Sequence, residues 1–182
     1  MSDESAAQDK LLAVRMLAMD VDGVLTDGGL TFTTGELESK RFHIADGLGI
    51  QLAINAGLIV VWVTGRESEA VQRRAAELGV SHLYQKSGNK AAAIAELMGA
   101  NALTQANVAY IGDDLNDLPA FSLAGVKFAP ANAVSEIKAL ADFVTERSGG
   151  GGAVREVCDV ILKAQGKWND AVTIYLGKLL QG

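Results

Sequence analysis

Three short apolar runs, Leu11–Met19, Leu58–Val63 and Val108–Ile111, each stop at a polar or glycine-bearing turn. The turns read Asp20-Val21-Asp22-Gly23, Thr64-Gly65-Arg66 and Gly112-Asp113-Asp114. Aliphatic runs of this length, spaced by helical stretches, are the pattern of a parallel sheet buried on both faces by helices. Weaker strands are expected at His82–Tyr84, Val126–Phe128 and Phe143–Thr145. Helices are expected at Glu67–Leu78, Asn89–Met98, Leu115–Leu123, Val134–Leu140 and Ala153–Ala164. In the first of these, Val71, Ala75 and Leu78 share one stripe and Gly79 closes the helix. The fold class is therefore α/β, with a Rossmann-like doubly wound parallel sheet. Leu30–Phe42 interrupts the rhythm and reads as a β-hairpin turning at Thr34-Gly35-Glu36, either an edge hairpin of the sheet or a flap beside Asp20 and Asp22.

Size and charge narrow the partners. A chain of 182 residues, 49% hydrophobic and 21% charged, is one globular domain with a full core. We place a flexible N-terminus at 1–10, the domain at 11–165 and a C-terminal tail at 166–182, where Trp168, Ile174, Tyr175, Leu176, Leu179 and Leu180 are apolar. The net charge of −6 argues against a nucleic-acid partner but not against a small anion met by a few placed cations. The lone Cys158 forms no intrachain disulfide and fits a reducing compartment. Met1–Lys10 has no signal-peptide pattern, and no apolar run approaches the roughly 18 residues of a membrane span, so a cytoplasmic location is expected.

In open parallel sheets, ligands bind beyond the carboxyl ends of the strands. Side chains at i and i+2 point the same way from a strand, so Asp20 and Asp22 are expected to face one site. Paired carboxylates at a core edge are costly unless a cation sits between them, and hard oxygen donors suit Mg²⁺. A solvated acidic turn is the alternative. Thr64 and Arg66 follow the second strand, and Asp113, Asp114 and Asp117 the third, with Lys90 at a helix start between them. Carboxylates that hold a cation, together with a threonine and a lysine that hold an anion, suit phosphoryl transfer. Each residue also has a plainer reading: Thr64 and Asp117 as helix caps, Lys90 as a solvated first-turn lysine.

The order Asp-x-Asp-Gly, Val-Thr-Gly, Lys and Gly-Asp-Asp-x-x-Asp resembles the haloacid dehalogenase superfamily over Val14–Lys167. Within it, Asp20–Gly28, His43–Ile50, Val63–Arg66, Leu83-Tyr84-Gln85, Asn89-Lys90, Val108–Asp117 and Gly152–Asp159 resemble the 3-deoxy-D-manno-octulosonate 8-phosphate phosphatases of lipopolysaccharide precursor synthesis. The resemblance implies a phosphoric monoester hydrolase. Asp20 would be the nucleophile that forms an aspartyl-phosphate, Asp22 the general acid and base, and Thr64 and Lys90 the phosphate clamps. Mg²⁺ would be held by the Asp20 carboxylate, the Asp22 backbone carbonyl and Asp113, with Asp114 and Asp117 behind them. Substrate would meet Asp22, His43, Ile44, Ala45, Asp46, Gly47, Arg66, Arg74, Lys90 and Asn116. Arg66 would take the sugar-acid carboxylate through its guanidinium fork. The gaps Gly28–Asp46 and Lys90–Asp113 are too short for a cap domain, so the resemblance implies a capless fold with a hairpin flap and a homotetramer whose neighbours close the site. Two positions depart from the family: Gly151 stands where Arg is usual, and Gln51 where a basic residue is common. Alternatives are a nine-carbon ulosonate 9-phosphate phosphatase, whose members tend to carry Glu at the position of Arg66, and a non-catalytic module related to sugar-nucleotide synthetases.

Overall fold

The computed structural model describes residues 8–32 and 38–181. The strands β1 (Met16–Met19), β4 (Ile59–Val63), β5 (His82–Tyr84), β6 (Val108–Ile111), β7 (Val126–Ala129) and β8 (Phe143–Val144) form one six-stranded sheet. Its order is β5-β4-β1-β6-β7-β8 and every pairing is parallel. Successive side chains of β1 separate the two cores, because a strand alternates its faces. Leu17 and Met19 pack with Ile50, Trp62, Val71 and Val157 on one face, and Met16 and Ala18 with Ile94, Tyr110, Phe121 and Ile137 on the other. The helices are α1 (Ile44–Asn55), α2 (Glu69–Leu78), α3 (Lys90–Ala100), α4 (Leu118–Phe121), α5 (Ser135–Leu140), α6 (Ala153–Ala164) and α7 (Trp168–Leu179). The first core is covered by α1, α2, α6 and α7, the second by α3, α4 and α5.

The hairpin stands apart from this sheet. β2 (Thr31–Phe32) pairs antiparallel with β3 (Glu38–Ser39) in a sheet of its own, so it is a flap and not an edge of the main sheet. The expected turn at Thr34-Gly35-Glu36 lies outside the described residues, as does most of the expected flexible N-terminus.

Four segments differ from the sequence expectation, the first being α1, which is not among the expected helices. The run Leu11–Met19 is a strand only from Met16; residues 8–11 are helical, and Leu11 and Val14 are buried all the same. Leu115–Leu123 divides into a 3₁₀ turn over Leu115–Asp117 and a short helix with Pro119 in its first turn, where its missing N–H costs nothing. The tail forms α7, which lies on its own subunit's α1: Ala171 is buried and Lys178 Nζ donates to Asn55 Oδ1 at 2.6 Å. Arg155 and Lys163 of α6 sit 5.4 and 5.1 Å from the Trp168 ring centroid, a cation–π anchor for the same helix.

Candidate active site

The chain leaves β1 on one side, runs out to β5, and returns across the sheet to β6. Neighbouring strands β1 and β6 are therefore the switch point where parallel sheets open a crevice at their carboxyl ends. Asp20 follows β1 and Asp113 follows β6. The backbone N–H of Asp20 donates to the Ile111 carbonyl at 3.1 Å, extending the pairing by one residue and fixing the two turns side by side. Past Asp20 the backbone turns, with Leu25 N donating to the Val21 carbonyl at 2.9 Å.

That turn separates the two aspartates that a continued strand would have left facing together. Asp20 joins Asp113 and Asp117: each offers a carboxylate oxygen, and the three atoms lie within 4.8 Å of one another. The Asp22 carboxylate pairs instead with Lys40, whose side chain is 1% exposed. Gly23 is required in this turn, since its φ is +88° and a Cβ there would collide with the Asp113 carboxylate. Asn132 clamps the same turn, donating to the Gly23 carbonyl at 3.0 Å and accepting from Gly149 N at 2.6 Å. The glycine-rich segment thus lies on its own subunit's loop, where Gly150 N also donates to the Val24 carbonyl at 3.0 Å. Gly151 is exposed and has a negative or extended φ, with only the Ser148 carbonyl near an added Cβ, at 3.1 Å.

Lys90 enters from the first turn of α3 and is 4% exposed, so it is not a solvated surface lysine. Its Nζ lies 2.7 Å from Asp20 Oδ2 and 2.7 Å from Asp117 Oδ1. The other Asp20 oxygen accepts from Val21 N at 2.7 Å. Asp117 is fully buried and consumed within the protein: Tyr110 Oη donates to it at 2.7 Å, and the Asp113 and Asp114 amides donate at 2.9 and 3.3 Å. It closes a capping box with Asp114 and also orients Lys90, so the cap reading and the site reading both hold for this residue. Asp114 turns away to cap Leu115 N at 2.7 Å.

One lysine faces three carboxylates here, and the imbalance shows in their acidities. Burial first, then the Asp117 charge, pushes the Asp20 carboxyl up to about 7 against the pull of Lys90. Burial and the charges of Asp20 and Asp117 push Asp113 up to about 7 as well. For Lys90, desolvation is outweighed by the two carboxylates, and its pKa is raised. A hard divalent cation fits this donor set, because it would supply the missing positive charge through oxygen ligands alone. Asp20 and Asp113 are the two carboxylates with capacity left for it.

Thr64 follows β4, is 2% exposed, and accepts from Arg66 N at 3.2 Å. It does not cap α2, whose N-cap is Ser68. Arg66 reaches the flap: its Nη2 donates to Glu38 Oε2 at 2.6 Å. His43 caps α1, with Nδ1 accepting from Ala45 N at 3.3 Å, and Ile44 and Ala45 follow it at the surface. Asp46 and Gly47 are buried instead: Asp46 Oδ1 accepts from Arg155 N at 2.8 Å, and the Arg74 guanidinium lies against Gly47. Arg74 also pairs with Glu77 at 2.9 Å, which occupies it within the subunit. Asn116 is exposed in the turn after β6. Lys40, Glu38, Tyr110 and Asn132 belong to this network and carried no signal in the sequence beyond their proximity to named motifs.

The sequence profile of the haloacid dehalogenase-like hydrolases matches residues 79–157. The chain is 44% identical over 158 residues to the 3-deoxy-D-manno-octulosonate 8-phosphate phosphatase KdsC of Escherichia coli, covering 87% of this chain and 84% of that protein. It is 42% identical over 160 residues to the enzyme of the same name from Haemophilus influenzae, covering 88% of this chain and 89% of the other. Among solved structures, the Moraxella catarrhalis 3-deoxy-D-manno-octulosonate 8-phosphate phosphatase, in complex with magnesium, phosphate and KDO, is 39% identical with a TM-score of 0.89. That match covers 94% of this chain and 98% of the other. The cobalt-bound Haemophilus influenzae phosphatase superposes with a TM-score of 0.84 at 42% identity, over 87% of this chain and 93% of that one. The chain belongs to the haloacid dehalogenase-like hydrolases and, within them, to the 3-deoxy-D-manno-octulosonate 8-phosphate phosphatase family.

Proposed function

We propose that this chain hydrolyses 3-deoxy-D-manno-octulosonate 8-phosphate to the free sugar acid and phosphate, with Mg²⁺ bound by Asp20, Asp113 and the Asp22 carbonyl. The observation that carries the reading is the Asp20 carboxylate, pinned by Val21 N and Lys90 at 2.7 Å each, beside Asp113. Both its oxygens have one fixed donor, so the carboxylate is held at a set angle to the crevice. In our reading Asp20 attacks phosphorus and the sugar oxygen leaves with a proton from Asp22. Asp22 then takes a proton from the water that cleaves the aspartyl-phosphate. Lys40 holds the Asp22 side chain in place between these steps. Thr64 and Lys90 replace solvent around the phosphoryl oxygens. A bound Mg²⁺ supplies charge neutralisation for the approaching dianion and polarises a phosphoryl oxygen.

Arg66 supports a sugar acid as substrate, and its being Arg rather than Glu favours the eight-carbon one. Its guanidinium already binds a carboxylate, that of Glu38, and so has the geometry to bind one on a substrate. We further infer a homotetramer working in the cytoplasm, supplying lipopolysaccharide precursor synthesis. Among the described residues, no helix is long and apolar enough to cross a membrane. The decisive experiment measures Mg²⁺-dependent phosphate release from the eight-carbon 8-phosphate and the nine-carbon 9-phosphate at equal concentration. Preference for the eight-carbon ester is expected; preference for the other, or no release from either, refutes the reading.

A further inference from the structure

Four charged side chains of alternating sign run from the flap across the mouth of the site: Asp22, Lys40, Glu38 and Arg66. Lys40 sits between two carboxylates, paired with Asp22 and 3.0 Å from Glu38 Oε1. That second contact is an ion pair without hydrogen-bond alignment, because Glu38 Oε1 is buried and accepts no hydrogen bond. The aligned bond of Glu38 is the one to Arg66 Nη2 at 2.6 Å. Glu38 is mostly covered, its side chain 14% exposed, whereas Arg66 is 44% exposed. Burial would raise the Glu38 pKa, but the hydrogen bond from Arg66 and the charge of Lys40 outweigh it and hold the carboxyl below its ordinary range. Among the described residues, the flap strands are two residues long each, and these pairs tie Glu38 and Lys40 to Arg66 and Asp22 of the body of the domain.

We propose that Glu38 is a positioning residue that acts through Arg66: it holds the guanidinium as an internal counter-carboxylate and must yield it when a carboxylate-bearing ligand binds. A substrate carboxylate then exchanges one ion pair for another and gains only the difference. Glu38 thereby limits how tightly sugar acids are held, including the product, which keeps the carboxylate after phosphate has left. Ligands without a carboxylate have nothing to exchange and are insensitive to the pair. The proposal rests on the reading of Arg66 as the substrate's carboxylate contact.

The test compares wild type, Glu38→Gln, Arg66→Ala and the double variant, with Mg²⁺ present. For each, kcat and KM are measured on 3-deoxy-D-manno-octulosonate 8-phosphate and on p-nitrophenyl phosphate, along with inhibition by the free sugar acid. Glu38→Gln is expected to lower the KM for the sugar-acid phosphate and the inhibition constant of the free acid by about threefold or more, the size of a partly exposed ion pair. The KM for p-nitrophenyl phosphate should change less, and the effect should vanish in the Arg66→Ala background. Glu38→Asp, one methylene short of Arg66, carries the same expectation in smaller measure and keeps the test available if the neutral variant does not fold. Unchanged or weaker sugar-acid binding in the Glu38 variants, with Arg66→Ala still selective, overturns this inference and leaves the Arg66 reading intact. Equal losses on both esters in Arg66→Ala overturn the Arg66 reading, and the inference falls with it.

Discussion

Asp20 has to be a buried carboxylate beside two others, and that arrangement opposes the stability of the metal-free protein. Asp20→Asn should abolish phosphate release, because an amide cannot form the acyl-phosphate. It should also fold at least as well as wild type without metal, since it removes a buried charge. A phosphate-release assay with thermal melts checks both, and appreciable turnover by the folded variant would sink the proposed nucleophile. The acidities of Asp20 and Asp113, both pushed up to about 7, give a pH signature. A carboxyl whose folded pKa lies above its unfolded value contributes stability at low pH that is lost as the pH rises through the folded pKa. Chelator-treated protein should therefore melt at progressively lower temperature between about pH 5 and about pH 8, and Mg²⁺ should offset the fall at the upper end. A melting temperature that rises over that range in the absence of metal would contradict the assigned acidities. For Arg66, a desolvated carboxylate pair would be worth roughly 2–5 kcal/mol. At 44% side-chain exposure, solvent screening lowers the expected loss in Arg66→Ala to about 1–2 kcal/mol in kcat/KM, confined to carboxylate substrates.

At the scale of elements, the parts of the fold with simple periodicity were legible and those with mixed burial were not. The strands β4 to β8 and the helices α2, α3 and α6 fall within two residues of the expected spans, since each presents one apolar face or a fully buried run. α1 escaped because it has no polar face to mark a period: it is packed between the sheet, α6 and α7, and it carries Gly47 and Gly49. Those glycines lower helix propensity, yet they are the means of close packing. A Cβ on Gly49 would lie 3.0 Å from Arg155 Cδ and 3.1 Å from its Cα, so α1 and α6 cross backbone to backbone there. Gly49→Leu should cost about 2 kcal/mol or more in urea unfolding, overpacking outweighing the gain in helix propensity. No loss would mean that the crossing has slack. The site was legible in the same uneven way. Asp20, Thr64, Lys90 and Asp113 stand at strand ends or a helix start, where topology alone brings them together. Asp22 is the exception: strand alternation puts it on the same site as Asp20, but the chain turns after Met19 and carries its carboxylate to Lys40, a contact that no local pattern encodes. Glu38 and Lys40 lie on a flap whose sequence advertised its Phe and Leu residues, and long-range ion pairs leave no local trace.

At the scale of the whole molecule, the end of the sheet that bears the site is also where apolar side chains are left uncovered. Phe32 of the flap is 67% exposed, Ile44 at the start of α1 84%, and Leu115 after β6 52%. Scattered exposed apolar residues need no explanation, but several on elements that surround one crevice favour burial by another chain. The C-terminal helix and its cap add Ile174, Leu176, Leu179 and Leu180, all exposed although the helix is anchored on its own subunit through Ala171. With no cap domain between Gly28 and Asp46, a lone subunit leaves the outer groups of the site, Asp22 at 22% and Arg66 at 44% side-chain exposure, open to bulk water, which weakens the fields that stabilise a transferring phosphoryl group. Neighbouring subunits seated on the flap would exclude that water. Native mass spectrometry should therefore find a tetramer, and Phe32→Glu should dissociate it because a charge would be forced into the buried contact. Phosphate release should fall in step with the tetramer population across a dilution series, while far-ultraviolet circular dichroism of the variant stays that of a folded domain. A monomer that retains full activity would show that the single subunit closes its own site, and the exposed rim would then need another explanation.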